Sequence, residues 1–388
     1  MKILLKILGL EPFYFINDKS RFSPFLSIWS ITLVSTCMAL CAWILGTDVA
    51  FTERKSTKMK TTISTVVNIC DVGTSAVASI ACVVMAAVHA HLIARVHYKL
   101  TLTNTKLNII PPLVLHGNNL PHLIAPWLSL IIIILYTSFL ITDFILTIVM
   151  ENNSYVYTLM YVFHYVNFTV ELQIALIARK IKYLFNALNV TISKCLARAI
   201  LRPFVLPPVE TYQGGTGTRE ICELTDLSEL HWNLCTAVQD INNAFGVQLL
   251  TLLLSIFAHV IITPYFFFLA LVDPDTYSGN GPYLYLKLGW MLLYFGQLCM
   301  VVAPCSAATD KAGETATVLC KYLNTDLTHD VEKQAETFLL QLLHHDATFS
   351  ACGLFNINLP IITSVAGAVS TYLVILIQFH KSDSAAPD

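Results

Sequence analysis

Gly367, Thr371, Val374 and Gln378 place small, hydroxyl and amide groups along one side of an apolar segment. Spacings of four, three and four residues keep these positions on one face of a helix. Leu373, Leu376 and Ile377 occupy the remainder. A helix in lipid gains nothing from a polar stripe unless protein or water meets that stripe. The pattern therefore fits the lining of a pore, where amide or apolar groups at close approach exclude hydrated ions until the helices part. For Gln378 alone, the alternative is an interfacial residue that caps a membrane helix.

A second set of groups has binding chemistry. Asp71, Asp143 and Glu171 are acids inside apolar runs, where an ionisable side chain is costly and marks a functional site by default. Counted at 1.5 Å per residue, Asp71 lies ~14 Å and Asp143 ~10 Å below the outer ends of their helices. Glu171 falls ~24 Å down, nearer the inner face. The same arithmetic places Asn68, Tyr161, His164, Tyr265 and Trp290 within ~9–14 Å of the outer edge. Tyr294 and Gln297 follow one and two turns deeper, as a floor. Apolar walls with a few oriented polar groups are the composition of a small-molecule pocket. Against this, Tyr and Trp gather at membrane interfaces regardless of function, and a protonated Asp71 can simply bond neighbouring helices.

The elements that must position these groups follow from composition. The 388 residues are 55% hydrophobic and 12% charged, about half the charge of a soluble domain. Mean hydropathy is +0.65, so the chain reads as an all-α, polytopic membrane protein. Seven segments reach the ~20 apolar residues a bilayer core requires. They are Phe25–Gly46, Thr62–Ile93, Leu123–Met150, Tyr155–Ala178, Val247–Val272, Leu284–Ala308 and Ile357–Phe379. With the N-terminus inside, 17 Lys/Arg fall on the cytoplasmic side and five on the other, with Lys287 at a span edge. That bias predicts a cytoplasmic N-terminus and an extracellular C-terminus. Asn152 opens a glycosylation sequon in a short loop expected outside, whereas the sequon at Asn189 falls on the inner side. Lys2 and Lys6 flank a short apolar run followed by acidic and aromatic residues, which does not read as a cleaved signal peptide.

The expected organisation is a cytoplasmic arm at 1–24, helices one to four at 25–200, and a flexible Pro/Gly-rich linker at 201–219. An inward helical extension at 220–246 leads into helices five and six at 247–308. A cytoplasmic helical segment at 309–353 precedes the seventh helix at 357–379 and an outer tail at 380–388. Ile221, Leu224, Leu227, Leu230, Leu234 and Val238 recur at helical spacing, and Val318, Tyr322, Leu327, Val331, Phe338 and Leu342 are read likewise. These stretches need apolar partners beyond the membrane, either within one chain or in other subunits. The eleven cysteines form no C-x-x-C pair and read as small, reduced packing residues.

Phe349-Ser350-Ala351-Cys352-Gly353, running into Gly367-Ala368 and then Thr371-Tyr372, five apolar residues and Gln378-Phe379, resembles the insect gustatory receptor signature. The strong match covers roughly the last 35 residues, and Asp240–Leu249 carries a weaker likeness. The resemblance implies a homo- or heterotetrameric ligand-gated cation channel related to insect odorant receptors, opened by a small tastant at the plasma membrane of chemosensory neurons. It further implies that four copies of the last helix surround one pore, with Gln378 at or near the gate and Thr371 and Val374 on the same lining. Cytoplasmic helix extensions would form the anchor that joins subunits. Sugars and bitter plant compounds both fit the pocket chemistry, with a slight preference for bitter because sugar-type members tend to be longer.

Other function classes have less support. No Gly-x-Ser-x-Gly, P-loop or dinucleotide fingerprint occurs, and neither an enzyme nor a cofactor is expected. His89, His91 and His97, like His344-His345-Asp346, lack the spacing of a helical metal site, so no metal is expected. A net charge of −2 without a basic block gives no nucleic-acid partner. A secondary transporter predicts inverted repeats, and none is detectable. A seven-helix metabotropic receptor would need an outside N-terminus, and no Asp-Arg-Tyr or Asn-Pro-x-x-Tyr motif is present.

Overall fold

The computed structural model describes residues 10, 13–16, 19–50, 62–109, 120–150, 160–205, 217–272 and 281–385. A short antiparallel pair, β1 (Phe13–Ile16) and β2 (Lys19–Phe22), precedes the helices. Then come α1 (Pro24–Ala50), α2 (Thr62–Val88), α3 (Ala90–Ile109), α4 (Leu120–Met150) and α5 (Met160–Val205). The second half holds α6 (Gly217–Val272), α7 (Gly281–Leu323), α8 (His329–His344), a hairpin of β3 (Ser350–Ala351) and β4 (Phe355–Asn356), and α9 (Pro360–Ala385). Five of the described helices carry a stretch long and apolar enough to cross a membrane. The other two expected spans coincide with α1 and the start of α5.

Helix length explains the two-storey build. The 56 residues of α6 extend ~84 Å at 1.5 Å per residue, against a hydrocarbon core of ~30 Å. Its first half must therefore stand outside the bilayer and find apolar partners there. It does: Leu224, Leu227, Leu230, Leu234, Val238 and Ile241 are all buried against Leu184, Leu188 and Ile192 of α5, Leu319 of α7 and Phe338 of α8 in one continuous core. Helix runs unbroken through 220–246, and Ile221, the first of the positions read at helical spacing, is only partly buried. In the membrane half, α2 lies along α6 and α5 along α7. Helix α4 joins through large side chains, with Phe139 reaching Gly289, where a Cβ would fall 2.6 Å from its ring.

Several boundaries differ from the sequence reading. The second span stops at Val88, and α3 starts after a turn at His89 rather than continuing to Ile93. Within the expected linker, residues 201–205 and 217–219 are helical. Segment 309–353 is not wholly helical. It breaks after Leu323, restarts at His329 with Asp330 and Glu332 favourably placed against the helix dipole, and ends in the hairpin. The last helix opens at Pro360, not Ile357, because the Ile357 amide is spent on the Phe349 carbonyl at 2.8 Å and proline suits a first helical turn. It runs on to Ala385, so 380–385 is helix rather than tail.

Two cysteines of the layer beyond the membrane, Cys195 and Cys235, are buried. Loss of solvent pushes the Cys195 and Cys235 thiols up to about 12, and Glu223 beside Cys195 adds to the effect. Both are inert packing groups, as expected. Asn189 is likewise structural. Its amide donates to the Lys311 carbonyl at 2.8 Å and accepts from the Thr315 hydroxyl at 2.7 Å, tying α5 to α7 in a buried setting. Asn189→Ala strands both partners and is expected to cost roughly 2–6 kcal/mol, given ~1–3 kcal/mol per buried unpaired group. A thermal melt in detergent checks this; an unchanged midpoint refutes it.

Candidate functional site

Chemistry in the membrane half converges where α2, α4, α5, α6 and α7 meet. Asp71 on α2 points at His259 on α6, with Oδ1 to Nε2 at 3.1 Å. The same ring nitrogen lies 3.0 Å from the Ser75 hydroxyl, one turn along α2. His259 Nδ1 donates to the Ser255 carbonyl of its own helix. That bond fixes the tautomer, leaving Nε2 to accept from Ser75 when the ring is neutral or donate to Asp71 when it is charged.

Aromatic rings surround this pair. Tyr294 lies 4.4 Å from His259, centroid to centroid, and stacks on Trp290 at 5.2 Å. His164 sits 5.5 Å from His259 and 5.1 Å from Trp290. The i, i+4 spacing of Trp290 and Tyr294 puts both on one face of α7, and Gln297 continues that face one turn on. Tyr136 of α4 stacks on Phe168 at 3.7 Å and donates to the His164 carbonyl at 3.1 Å. Asp143 accepts a 2.7 Å bond from Tyr161, which packs against the Trp290–Tyr294 cluster. Below, the Ser79 hydroxyl and the Asn167 amide bond each other and Ser75, bracing α2 on α5.

Of the pocket residues expected from depth, Asp71, Asp143, Tyr161, His164, Trp290, Tyr294 and Gln297 gather here. Tyr265 does not. It is fully buried in a separate cluster with Phe266 and Leu269, against which Leu373 and Leu376 of α9 pack. The Asn68 side chain and Asn152 lie outside the described residues. Glu171 is buried two turns along α5 from His164 on the same helix face, and its Oε2 has no hydrogen-bond partner among the described residues. The residue that joins the cluster's parts, His259, escaped the depth argument, although an ionisable ring within an apolar span was a signal of the same kind as the acids.

Helix α9 presents two different sides. Ile362, Val365, Leu373 and Leu376 pack against the rest of the chain. Gly367, Thr371, Val374 and Gln378 are all exposed, and at 100° per residue they fall on the opposite side. Tyr372 is half exposed and meets Phe257 edge-on at 6.3 Å. The Phe379 side chain is outside the described residues. Across Pro360–Gln378 no residue is buried, the lowest share among the five apolar spans of the described residues.

A 7tm Chemosensory receptor family model matches residues 3–383. The chain belongs to that family. Among curated relatives, the Drosophila melanogaster gustatory receptor for sugar taste 43a is 38% identical over 41% of this chain and 36% of its own length. The gustatory receptor for bitter taste 66a of the same fly is 24% identical over 43% of this chain and 32% of its own. The chain thus spans about a third of the length of these curated relatives. The olfactory receptor OR5 from Machilis hrabei superposes with a TM-score of 0.65 at 13% identity, covering 97% of this chain and 96% of that one. That insect protein has also been solved in complex with eugenol. This chemosensory receptor therefore has the seven-helix membrane fold and is a multi-pass protein of the plasma membrane.

Proposed function

We propose that this receptor is a taste receptor of chemosensory neurons that acts as a ligand-gated, non-selective cation channel. The observation that carries the reading is the division of α9, whose apolar side packs on its own subunit while its hydroxyl and amide side is left without cover. A polar stripe in a membrane needs protein or water, and a central axis shared by several copies supplies both. Further support lies beyond the membrane, where Leu340 and Leu343 of α8 and Leu354 of the hairpin are strongly exposed. Large apolar side chains left open in this way suit contact with other subunits, so the working assembly is a homo- or heterotetramer with the N-terminus cytoplasmic.

The stimulus proposed is a small hydroxylated compound, with sugars favoured over bitter compounds, bound in the cluster around His259. Stacked rings of Trp290 and Tyr294 offer a flat apolar platform, while Asp71, Asp143 and the two histidines offer acceptors and donors at its rim. Hydroxyl-rich molecules use both features at once, and the likeness to a relative named for sugar taste agrees. Whole-cell recording against a panel of mono- and disaccharides, with eugenol as an aromatic contrast, tests this. A channel gives an evoked current reversing near zero, and Asp143→Ala and His164→Ala each shift its concentration dependence by about tenfold, the worth of one buried polar contact. Unchanged curves for both variants remove the pocket assignment.

A further inference from the structure

The root of α9 is held through its backbone as well as by the buried side chains of Phe349, Ala351 and Ile357. Asn242 of α6 uses both ends of its amide on the segment before the helix: Nδ2 donates to the Thr348 carbonyl at 2.8 Å, and Oδ1 accepts from the Ser350 amide at 3.0 Å. From the other side, the Thr309 hydroxyl of α7 donates to the Ala347 carbonyl at 3.1 Å. One turn along α6, Gly246 receives the hairpin tip. A Cβ there would fall 3.2 Å from the Cys352 nitrogen, tighter than Cβ contacts normally are, and 3.5 Å from its Sγ, an ordinary contact. The tip turns through φ of 52° at Cys352 and 70° at Gly353, a left-handed conformation that is cheap for glycine and strained for cysteine.

The helices that make this grip also carry the ligand cluster. Between His259 and Asn242, α6 runs 17 residues, ~25 Å, with no proline to bend it. Its single internal proline, Pro264, lies beyond His259 on the far side from the joint. Displacement of His259 is therefore delivered to the hairpin by a stiff rod. The hairpin has room to respond, because a cleft of about 620 Å³, lined among others by Met85, His89, Gln239 and Asn243, opens beside it.

We propose that Asn242, Gly246 and Thr309 are positioning residues for gating, forming the joint through which α6 and α7 set the root of the pore helix. The inference rests on the channel reading above and adds the route by which the ligand cluster reaches the gate.

The joint can be locked chemically. In the full-length receptor, Gly246→Cys places a second thiol beside Cys352, at a separation a disulfide spans with small adjustment. Copper-phenanthroline then removes two electrons and two protons from the thiol pair, and dithiothreitol returns them. The expected result is a cross-link visible by mass, loss of at least nine-tenths of the saccharide-evoked current, and recovery on reduction. Gly246→Cys combined with Cys352→Ser is expected to be insensitive to the oxidant. Without any cross-linking, Asn242→Leu is expected to lower the maximal evoked current about tenfold at normal surface expression, and Asn242→Asp, which keeps the acceptor for Ser350, less. A cross-link that forms without changing the current, or no cross-link at all, overturns the joint while leaving a conducting wild-type receptor intact. A wild-type receptor that binds saccharide but passes no current overturns the channel reading, and the joint with it.

Discussion

His259→Ala is expected to raise the saccharide concentration for half-maximal current by ~10- to ~150-fold, the largest effect of any single change in the membrane half. The magnitude follows from what the ring does. It pairs with Asp71 at 3.1 Å, meets Ser75 at 3.0 Å and packs on Tyr294 and His164, so four helices converge on one side chain. It is 1% exposed, and water cannot replace what is lost. A buried hydrogen bond to a charged group contributes about 1.5–3 kcal/mol, which corresponds to that range at about 1.4 kcal/mol per tenfold. His259→Gln keeps a donor within reach of Asp71 and is expected to recover part of the sensitivity. Surface labelling and a detergent melt separate a misfolded variant from an insensitive one. An alanine variant that reaches the surface with an unaltered concentration–response curve would show that the cluster is packing, not a ligand site.

The sequence was informative wherever one period decided the structure. Seven apolar runs yielded the membrane helices, and Leu224 to Ile241 at helical spacing yielded the extension of α6, because both signals repeat along the chain. It was weak where a few residues override the period. Phe349 to Gly353 reads as part of a helical stretch, yet bonds from the Asn242 side-chain amide to its backbone and the turn at Cys352–Gly353 fold it into a hairpin. Strands of two residues carry no pattern of their own. In the ligand cluster, depth was legible and direction was not. Tyr265 shares its depth with the cluster, but six residues from His259 it is turned by about 240° around α6 and faces the last helix instead. Trp290, Tyr294 and Gln297 succeeded together because spacings of four and three keep them on one face.

Gln378→Glu is expected to raise the permeability of the channel to divalent relative to monovalent cations several-fold, and Gln378→Leu to reduce its conductance by a similar factor. Gln378 is exposed, on the same stripe as Gly367, Thr371 and Val374, at the end of a segment in which no residue is buried. In a tetramer each substitution acts four times around the axis. Four carboxylates ~5 Å from an ion in water-like surroundings attract a monovalent cation by roughly 3 kcal/mol and a divalent one by twice that, before salt screening reduces both. A difference of this size outweighs anything a single residue on a lipid-facing helix can do to conduction. Leucine acts oppositely, since an apolar ring at a constriction favours dewetting over ion passage. Reversal potentials in bi-ionic solutions and single-channel amplitudes measure the two effects. If both variants conduct like the wild type, with the same selectivity, the stripe faces lipid or another helix and the pore must be sought elsewhere in the bundle. The prediction also discriminates between neighbours: Tyr372, half exposed and in edge contact with Phe257, lies about 100° round the helix from Thr371. An acidic substitution there is expected to disturb packing on α6 without altering selectivity.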